Sequence, residues 1–255
     1  VLNAFPFEQT ISTSKIIAHH KRCGVSALIN SQGIYNYNNM KLLQDLLQEG
    51  GTFFDVGANI GSYSLVASEQ PEASVFAFEP HPVTFRMLKE NIELNRRDNV
   101  RLFNIALGAM DGEVFLTDDQ GSAVNHLVDE RLPDTISVKC RRGETFCREE
   151  NVAPTYMKID VEGFEYQVLV GFGSWLQEVD LLFIEINGLS DERSYGENAI
   201  HRILTENGFR GPLYCDFDAR TISADQSVNK EDCLYLSRSF STSPEFMKRR
   251  FGVVL

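Results

Sequence analysis

The stretch Thr52-Phe53-Phe54-Asp55-Val56-Gly57-Ala58-Asn59-Ile60-Gly61-Ser62-Tyr63-Ser64 passes from a strand through a glycine turn into a helix. Thr52 to Val56 is short, β-branched and aromatic, as a buried strand is. Gly57 and Gly61 let the backbone turn sharply and approach a ligand closely, and a helix over Ser62 to Ser68 would begin with N–H groups that lack intrahelical partners. Upstream, Leu42, Leu43, Leu46 and Leu47 recur at helical spacing and stop at Gly50-Gly51, a C-terminal cap that hands the chain to the strand.

The same alternation continues downstream. Ser74 to Phe78 is a second apolar run, closed by Glu79-Pro80-His81-Pro82, after which Phe85, Leu88 and Ile92 mark one face of a helix reaching Asn95. A third strand is predicted over Val100 to Leu107. Gly112 to Thr117 and Ser137 to Cys140 read as strands of an excursion, followed by a short helix at Glu144 to Glu150. Further strands are predicted at Tyr156 to Ile159 and Leu181 to Ile186, with helices at Phe164 to Phe172 and Asn198 to Asn207. Leu213 to Phe217 and Cys233 to Leu236 complete the sheet as an antiparallel pair. Short strands that are apolar on both faces and alternate with helices predict an α/β, doubly wound, mostly parallel sheet with a C-terminal antiparallel hairpin. The expected organisation is an irregular or helical extension over 1–50, one domain over 51–240 and a helical tail over 241–255.

Composition narrows the function. The 255 residues are enough for one large domain with a substantial core, and 43% hydrophobic with 24% charged residues is ordinary for a globular protein. A formal charge of −12 has the wrong sign for holding a polyphosphate backbone, so nucleic acid is not the expected partner. Cys23, Cys140, Cys147, Cys215 and Cys233 are odd in number, widely spaced and contain no C-x-x-C pair, which suits a reducing, cytoplasmic setting without a disulfide framework or zinc site. No signal-like or spanning apolar window occurs, so stable membrane insertion is not expected. Lys248, Arg249 and Arg250 beside Phe246, Met247 and Phe251 suit a terminal helix packed on the body or on a second subunit, which leaves homo-oligomerisation open.

In doubly wound sheets ligands bind beyond the carboxyl ends of the strands. Here those ends are polar: Asp55, Glu79, Asn104, Asp160 with Glu162, and Glu185. Glu79 ends the strand after Asp55, near the roughly 20-residue offset at which an acid reaches ribose hydroxyls. The turn is not G-x-G-x-x-G, and an acid precedes its first glycine, where a pyrophosphate would be repelled. A nucleoside with a cationic rather than a phosphorylated tail fits, and S-adenosylmethionine has an ammonium and a sulfonium beside its ribose and no phosphate.

These residues resemble the FkbM-type S-adenosylmethionine-dependent methyltransferases. The likeness rests on four linked motifs: Phe54 to Ser64, Phe78-Glu79-Pro80-His81-Pro82, Asn104-Ile105-Ala106-Leu107-Gly108, and Met157-Lys158-Ile159-Asp160-Val161-Glu162-Gly163-Phe164-Glu165. It covers roughly Gly51 to Gly208. The resemblance implies a class I, Rossmann-like methyltransferase fold and methyl transfer to a hydroxyl of a sugar or natural product. It implies that Gly57, Asn59 and Gly61 line the methionine portion of the cofactor, Glu79 with Pro80 the ribose, and Asn104, Ile105 and Ala106 the adenine edge, with Asp55, Ser122 and Asp160 also at the cofactor.

A hydroxyl acceptor needs help in losing its proton. The candidate catalytic residues are Asp160, Glu162, Glu185 and His81, with His126 as a further histidine; His19 and His20 have no assigned role. Asp160 or Glu162 is expected to take the proton while Glu185 orients the acceptor or shares a hard ion such as Mg²⁺. The bland alternatives are a helix cap near Gly163 for one carboxylate, a loop residue for His81, a surface position for His126 and core packing for Trp175. Competing functions are N-methylation of a small molecule or peptide, an NAD-dependent oxidoreductase, and a noncatalytic cofactor-binding domain. A [D/N]-P-P-[Y/F/W] motif of amino-directed enzymes is absent, which favours oxygen, and Asp55 with the missing third glycine disfavours NAD.

Overall fold

The computed structural model describes residues 3–20, 23–118, 125–128, 131–186, 196–226 and 232–241. The opening segment, expected to be irregular or helical, starts with an antiparallel hairpin of β1 (Phe7–Ile11) and β2 (Ser14–Ala18), followed by α1 (Gly24–Gln32) and α2 (Tyr37–Leu46). Then β3 (Gly51–Val56), α3 (Ser62–Ser68), β4 (Ala73–Phe78), α4 (Pro82–Leu94) and β5 (Val100–Phe103) alternate. They lead into β6 (Ala106–Gly108), β7 (Gly112–Thr117), β8 (Leu127–Val128) and β9 (Thr135–Arg142). The second half runs α5 (Gly143–Glu150), β10 (Tyr156–Ile159), α6 (Glu165–Phe172), β11 (Leu181–Ile184), α7 (Gly196–Glu206), β12 (Phe209–Asp216), β13 (Thr221–Ser223) and β14 (Cys233–Ser237).

Eight of these strands form one sheet in the order β13-β12-β14-β11-β10-β3-β4-β5. The run from β11 through β10, β3 and β4 to β5 is parallel, and β14 enters antiparallel between β11 and β12. From β3 the chain winds outward to β4 and β5, then returns to β10 on the other side, so the order reverses between β3 and β10. That reversal opens a crevice at their carboxyl ends.

Successive side chains leave a strand on opposite faces, which explains why these strands read as continuous apolar runs. Phe53, Val75, Tyr156 and Phe183 pack beneath α1 to α4, whereas Phe54, Phe76, Phe78, Met157 and Leu182 pack beneath α5 to α7. On the second face Phe78 and Phe103 each approach the Phe146 ring edge-on at 4.9 Å between centroids. Each buried phenyl contributes about 1.5–3 kcal/mol by leaving water. Trp175 is partly buried against this cluster, as a packing residue is.

Two local readings are corrected. The single strand predicted over Val100 to Leu107 breaks at Asn104-Ile105, and its halves join different sheets. β5 ends the large sheet and β6 begins a second one ordered β6-β9-β7-β8. Asn104 causes the break: its side-chain amide donates to the carbonyls of Glu79 at 2.8 Å and Pro80 at 2.9 Å, drawing the chain out of register with β4. The opening hairpin has the alternating burial of a half-buried strand pair, with Ser14, Ile16 and Ala18 buried and Lys15 exposed. Its outer edge is satisfied by side chains of α4, with Asn91 accepting from the Ile17 N–H at 2.7 Å and Asn95, just past its end, from the Lys15 N–H at 2.8 Å. Among the described residues no helix is long and apolar enough to cross a membrane.

Candidate active site

A cavity of about 300 Å³ lies at the carboxyl ends of β3, β4 and β10. Gly57, Asn59 and Glu79 form one wall, Ile105 and Ala106 another, and Asp160, Glu162 and Glu185 a third. Gly57 takes φ +84°, and a Cβ there would run into the backbone carbonyl of Asp160, so only glycine lets β3 and β10 close at the crevice.

The turn keeps its donors to itself. The N–H groups of Gly57 and Ala58 both donate to Phe78 O, at 3.0 and 2.9 Å, and Gly61 N–H donates to Ala58 O at 2.8 Å. Asn59 N–H donates to Glu79 at 3.0 Å, and Ile60 N–H to the Asn59 side chain at 2.9 Å. The N–H groups of residues 57–61 are thus already taken and offer no donor to a pyrophosphate.

Glu79 sits at the heart of this wall. It accepts N–H groups from Asn59 and from His81 at 2.9 Å, and it lines the cavity. Burial pushes its carboxyl up to about 8 despite those hydrogen bonds. Pro80 also lines the cavity. Asn104 does not; it fixes the carbonyls of Glu79 and Pro80 from outside and acts as a positioning residue.

Asp55 and Gly61 also stand behind the wall, not on it. Asp55 is buried, accepts the Ser64 hydroxyl at 2.6 Å, and is raised to about 6 by desolvation. Asp55 therefore does not face the cavity, whereas its place before the first glycine led to the expectation of an acid facing the ligand. Gly61 lies at the start of α3, where a Cβ would meet Leu88 of α4 at 2.5 Å, so this glycine serves helix packing.

His81 lines the cavity but is engaged at both ring nitrogens. Nδ1 accepts from the N–H groups of Val83 and Thr84, capping α4, and Nε2 lies 3.1 Å from Asp118. With Nδ1 as acceptor, Nε2 carries the hydrogen that Asp118 receives. This arrangement makes His81 a helix cap and corrects its reading as a general base. Asn125 and Leu127 line the cavity, whereas His126 between them does not. His19 lies 3.5 Å from Glu90, away from the cavity. Ser122 and the tail from Ser243 lie outside the described residues.

The third wall carries the charge. Asp160, Glu162 and Glu185 each offer a carboxylate oxygen within 4.8 Å of the others. Glu162 takes φ +55°, an uncommon conformation for a residue with a Cβ, and Gly163 follows at +95°. Glu165 holds this turn by accepting from the N–H groups of Val161 at 3.3 Å and Gly163 at 3.0 Å. The bland alternative for Asp160 or Glu162, a cap on the helix near Gly163, is not seen: the N-cap of α6 is Phe164 and no side chain caps it.

Lys158, not singled out in the sequence for any role, organises the wall. It is buried in β10, with Nζ 2.6 Å from Asp160, 3.5 Å from Asp232 and 4.9 Å from the centre of the Tyr63 ring. Burial opposes ionisation of Asp160, but the Lys158 ammonium and its hydrogen bond outweigh it and hold that carboxyl below its ordinary range. Burial and the neighbouring Asp160 charge push Glu185 up to about 10, so it keeps its proton. Two acids side by side therefore hold opposite protonation states. Asp232 was missed as well, as were Val25, Leu28, Tyr35 and Asn36, which close the cavity from the N-terminal segment. Asn36 donates to Asp232 at 3.0 Å across most of the chain length.

Glu79 and Asp55 give the ligand-free protein a pH signature. Both carboxyls, like that of Glu185, are raised above their unfolded values, so between about pH 4 and 8 these groups hold more protons in the folded chain than in the unfolded one and their contribution to stability falls as pH rises. Tm is expected to drop between about pH 5 and 8. Glu79→Gln should flatten that slope, and an unchanged slope in the variant would remove Glu79 as its source.

Comparison with known proteins places this geometry. The Methyltransferase FkbM domain family matches residues 55–210. The hexuronic acid methyltransferase AglP of Haloferax volcanii is 30% identical over 155 residues, 60% of this chain and 63% of that protein, so the match spans less than two thirds of that relative's length. The 31-O-demethyl-FK506 methyltransferase FkbM of Streptomyces tacrolimicus is 49% identical over 51 residues, 20% of each chain. Among solved structures, a SAM-dependent methyltransferase from Agrobacterium tumefaciens superposes with a TM-score of 0.48 and 10% identity over 80% of this chain and 59% of that one. The family match runs from the acid of the glycine turn to the start of β12, more than half of the chain, and on that extent the protein belongs to the FkbM methyltransferase domain family.

Proposed function

We propose that the protein transfers the methyl group of S-adenosylmethionine to a hydroxyl oxygen of a sugar or natural-product acceptor. The observation that carries this reading is the convergence of Asp160, Glu162 and Glu185, with carboxylate oxygens within 4.8 Å of one another, on the same cavity as Glu79. When bound, S-adenosylmethionine supplies an activated methyl on a good leaving group, which leaves positioning and removal of the hydroxyl proton to the protein. Glu79 would hold the ribose, and Ile105, Ala106 and Leu107 would give the adenine an apolar wall. Asp160 or Glu162 takes the acceptor proton, and Glu185, as a protonated acid, donates a hydrogen bond that orients the acceptor oxygen. The names of the two relatives, one for a hexuronic acid and one for a 31-O-demethyl compound, support a hydroxylated acceptor.

The three carboxylate oxygens also have a spacing that Mg²⁺ could bridge, so the same assay is run with and without chelator. In single-turnover transfer, at least one of Asp160→Asn, Glu162→Gln and Glu185→Gln should lose about 10²–10⁴-fold in rate while keeping cofactor affinity. Full rates in all three variants would sink the carboxylate mechanism. Cofactor binding without transfer to any member of a hydroxylated library would favour a noncatalytic domain.

A further inference from the structure

Two residues reach into the charged wall from opposite ends of the chain. Asn36 and Asp232 both lie outside residues 55–210, whereas Lys158 and Asp160 lie within them. Asn36 precedes α2 as its N-cap and takes φ +49°, a left-handed conformation that asparagine tolerates. Its Nδ2 donates to Asp232 Oδ2 at 3.0 Å, and Asn39 Nδ2 donates to the Asp232 main-chain carbonyl at 2.7 Å. Asp232, just ahead of β14, is therefore fixed through both its carboxylate and its backbone. Neighbours of Asn36 tie down the same segment: the Tyr35 hydroxyl lies 2.8 Å from Ser62 Oγ at the start of α3, and Asn38 accepts the Phe217 N–H at 3.0 Å.

This clamp holds one side of a shared cation. Lys158 Nζ sits 2.6 Å from Asp160 and 3.5 Å from Asp232, with the Tyr63 ring centre 4.9 Å away. An ammonium has three donors and no acceptor, so two carboxylates can divide it only while both stay in reach. Burial raises the Asp232 carboxyl above its usual range, Lys158 pulls it back and the Asp160 charge raises it again, as expected of two acids competing for one cation. Without the second acid the ammonium would settle wholly on Asp160, draw its carboxylate toward β10 and weaken any hydrogen bond it accepts from a ligand. Asn36, Asp160 and Asp232 all line the first cavity, so this competition lies on the wall that a reacting hydroxyl must meet.

We propose that Asp232, clamped by Asn36, is a positioning residue for methyl transfer: it holds the Lys158 ammonium between two acids and so keeps the Asp160 carboxylate presented to the acceptor hydroxyl. This rests on the methyltransferase reading above and narrows its proton acceptor to Asp160.

The test uses the full chain and labelled S-adenosylmethionine with the hydroxylated library, which includes methyl glucoside, methyl rhamnoside and methyl glucuronide. Variants are compared on the member that the wild type methylates fastest. Asp232→Asn keeps the volume and a carbonyl oxygen for Asn36 and removes only the charge. Asn36→Asp keeps a residue suited to the left-handed cap and sets a carboxylate against Asp232. Each should lower kcat about 10–100-fold, the cost of a misplaced reacting group. KM for the acceptor and Kd for S-adenosylhomocysteine should stay within about 2-fold of wild type, the split that separates a group acting in the transition state from one that only binds. Wild-type kcat in Asp232→Asn would overturn the proposal, as would a loss of S-adenosylhomocysteine affinity matching the loss of kcat. Full transfer by Asp160→Asn would overturn it too, while leaving the methyltransferase reading to Glu162. Failure of S-adenosylhomocysteine to bind, or no transfer by the wild type to any member of the library, would remove the proposed function and this proposal with it.

Discussion

Lys158→Met is expected to destabilise the protein by about 3–5 kcal/mol, the cost of removing one partner from a buried ion cluster. Methionine fills much of the volume of the lysine stem, so the loss is electrostatic: Asp160 and Asp232 would be left facing each other without the cation that lies 2.6 and 3.5 Å from them. The contact with the Tyr63 ring would lose its charge as well. The stranded carboxylates would respond by keeping protons, so their folded-state pKa values would rise above the unfolded ones. Stability of the variant should then fall as pH rises, and the deficit relative to wild type should shrink below about pH 4, where both acids are protonated in either state. Urea denaturation at several pH values measures this. Adding Asp160→Asn and Asp232→Asn to Lys158→Met should recover most of the stability but no methyl transfer, because the acid pair has gone with the cation. A single Lys158→Met variant within about 0.5 kcal/mol of wild type would show that the cluster is solvated and that the proposed charge arrangement does not hold.

Gly57→Ala should abolish cofactor binding. Two costs arise there and can be separated. The first is conformational: φ of +84° costs an L-residue about 1–2 kcal/mol. The second is steric, since the new methyl would overlap the Asp160 carbonyl and force the ends of β3 and β10 apart at the point where the cavity walls meet. Gly208 provides the control, with φ of +88° and nothing within 4 Å of the point a Cβ would occupy. Gly208→Ala should therefore show the conformational cost alone, with unchanged affinity for S-adenosylhomocysteine. Gly57→Ala should lose at least about 100-fold in affinity, equivalent to about 2.8 kcal/mol, as read by calorimetry. Equal behaviour of the two variants would mean that the close approach of the strands is not what shapes the site.

These two residues also mark how far the sequence could be read. Gly57 stood out because a glycine turn between an apolar strand and a helix is a local pattern. Glu79, Asp160, Glu162 and Glu185 stood out because each ends a strand, and parallel strands in one sheet bring their ends to one rim. All four line the cavity. Lys158 did not stand out, although it lies between Met157 and Ile159 in a motif already noted, because its role depends on Asp232 arriving from the far end of the chain at the start of β14.

The same division holds for the fold. Strand and helix alternation follows from apolar runs and caps within a dozen residues, and these alone determined the α/β class, the parallel strands and the antiparallel pair at the end. Tertiary structure decided the rest. It closed the glycine turn on Phe78 O and Glu79, left Asp55 behind the wall, split Val100 to Leu107 between two sheets through Asn104, and made His81 a helix cap. Each of these outcomes depends on which distant donor or acceptor the packed strands bring within hydrogen-bond reach. Local periodicity records how much surface a segment must bury; it carries no record of the polar partner that waits on the other side.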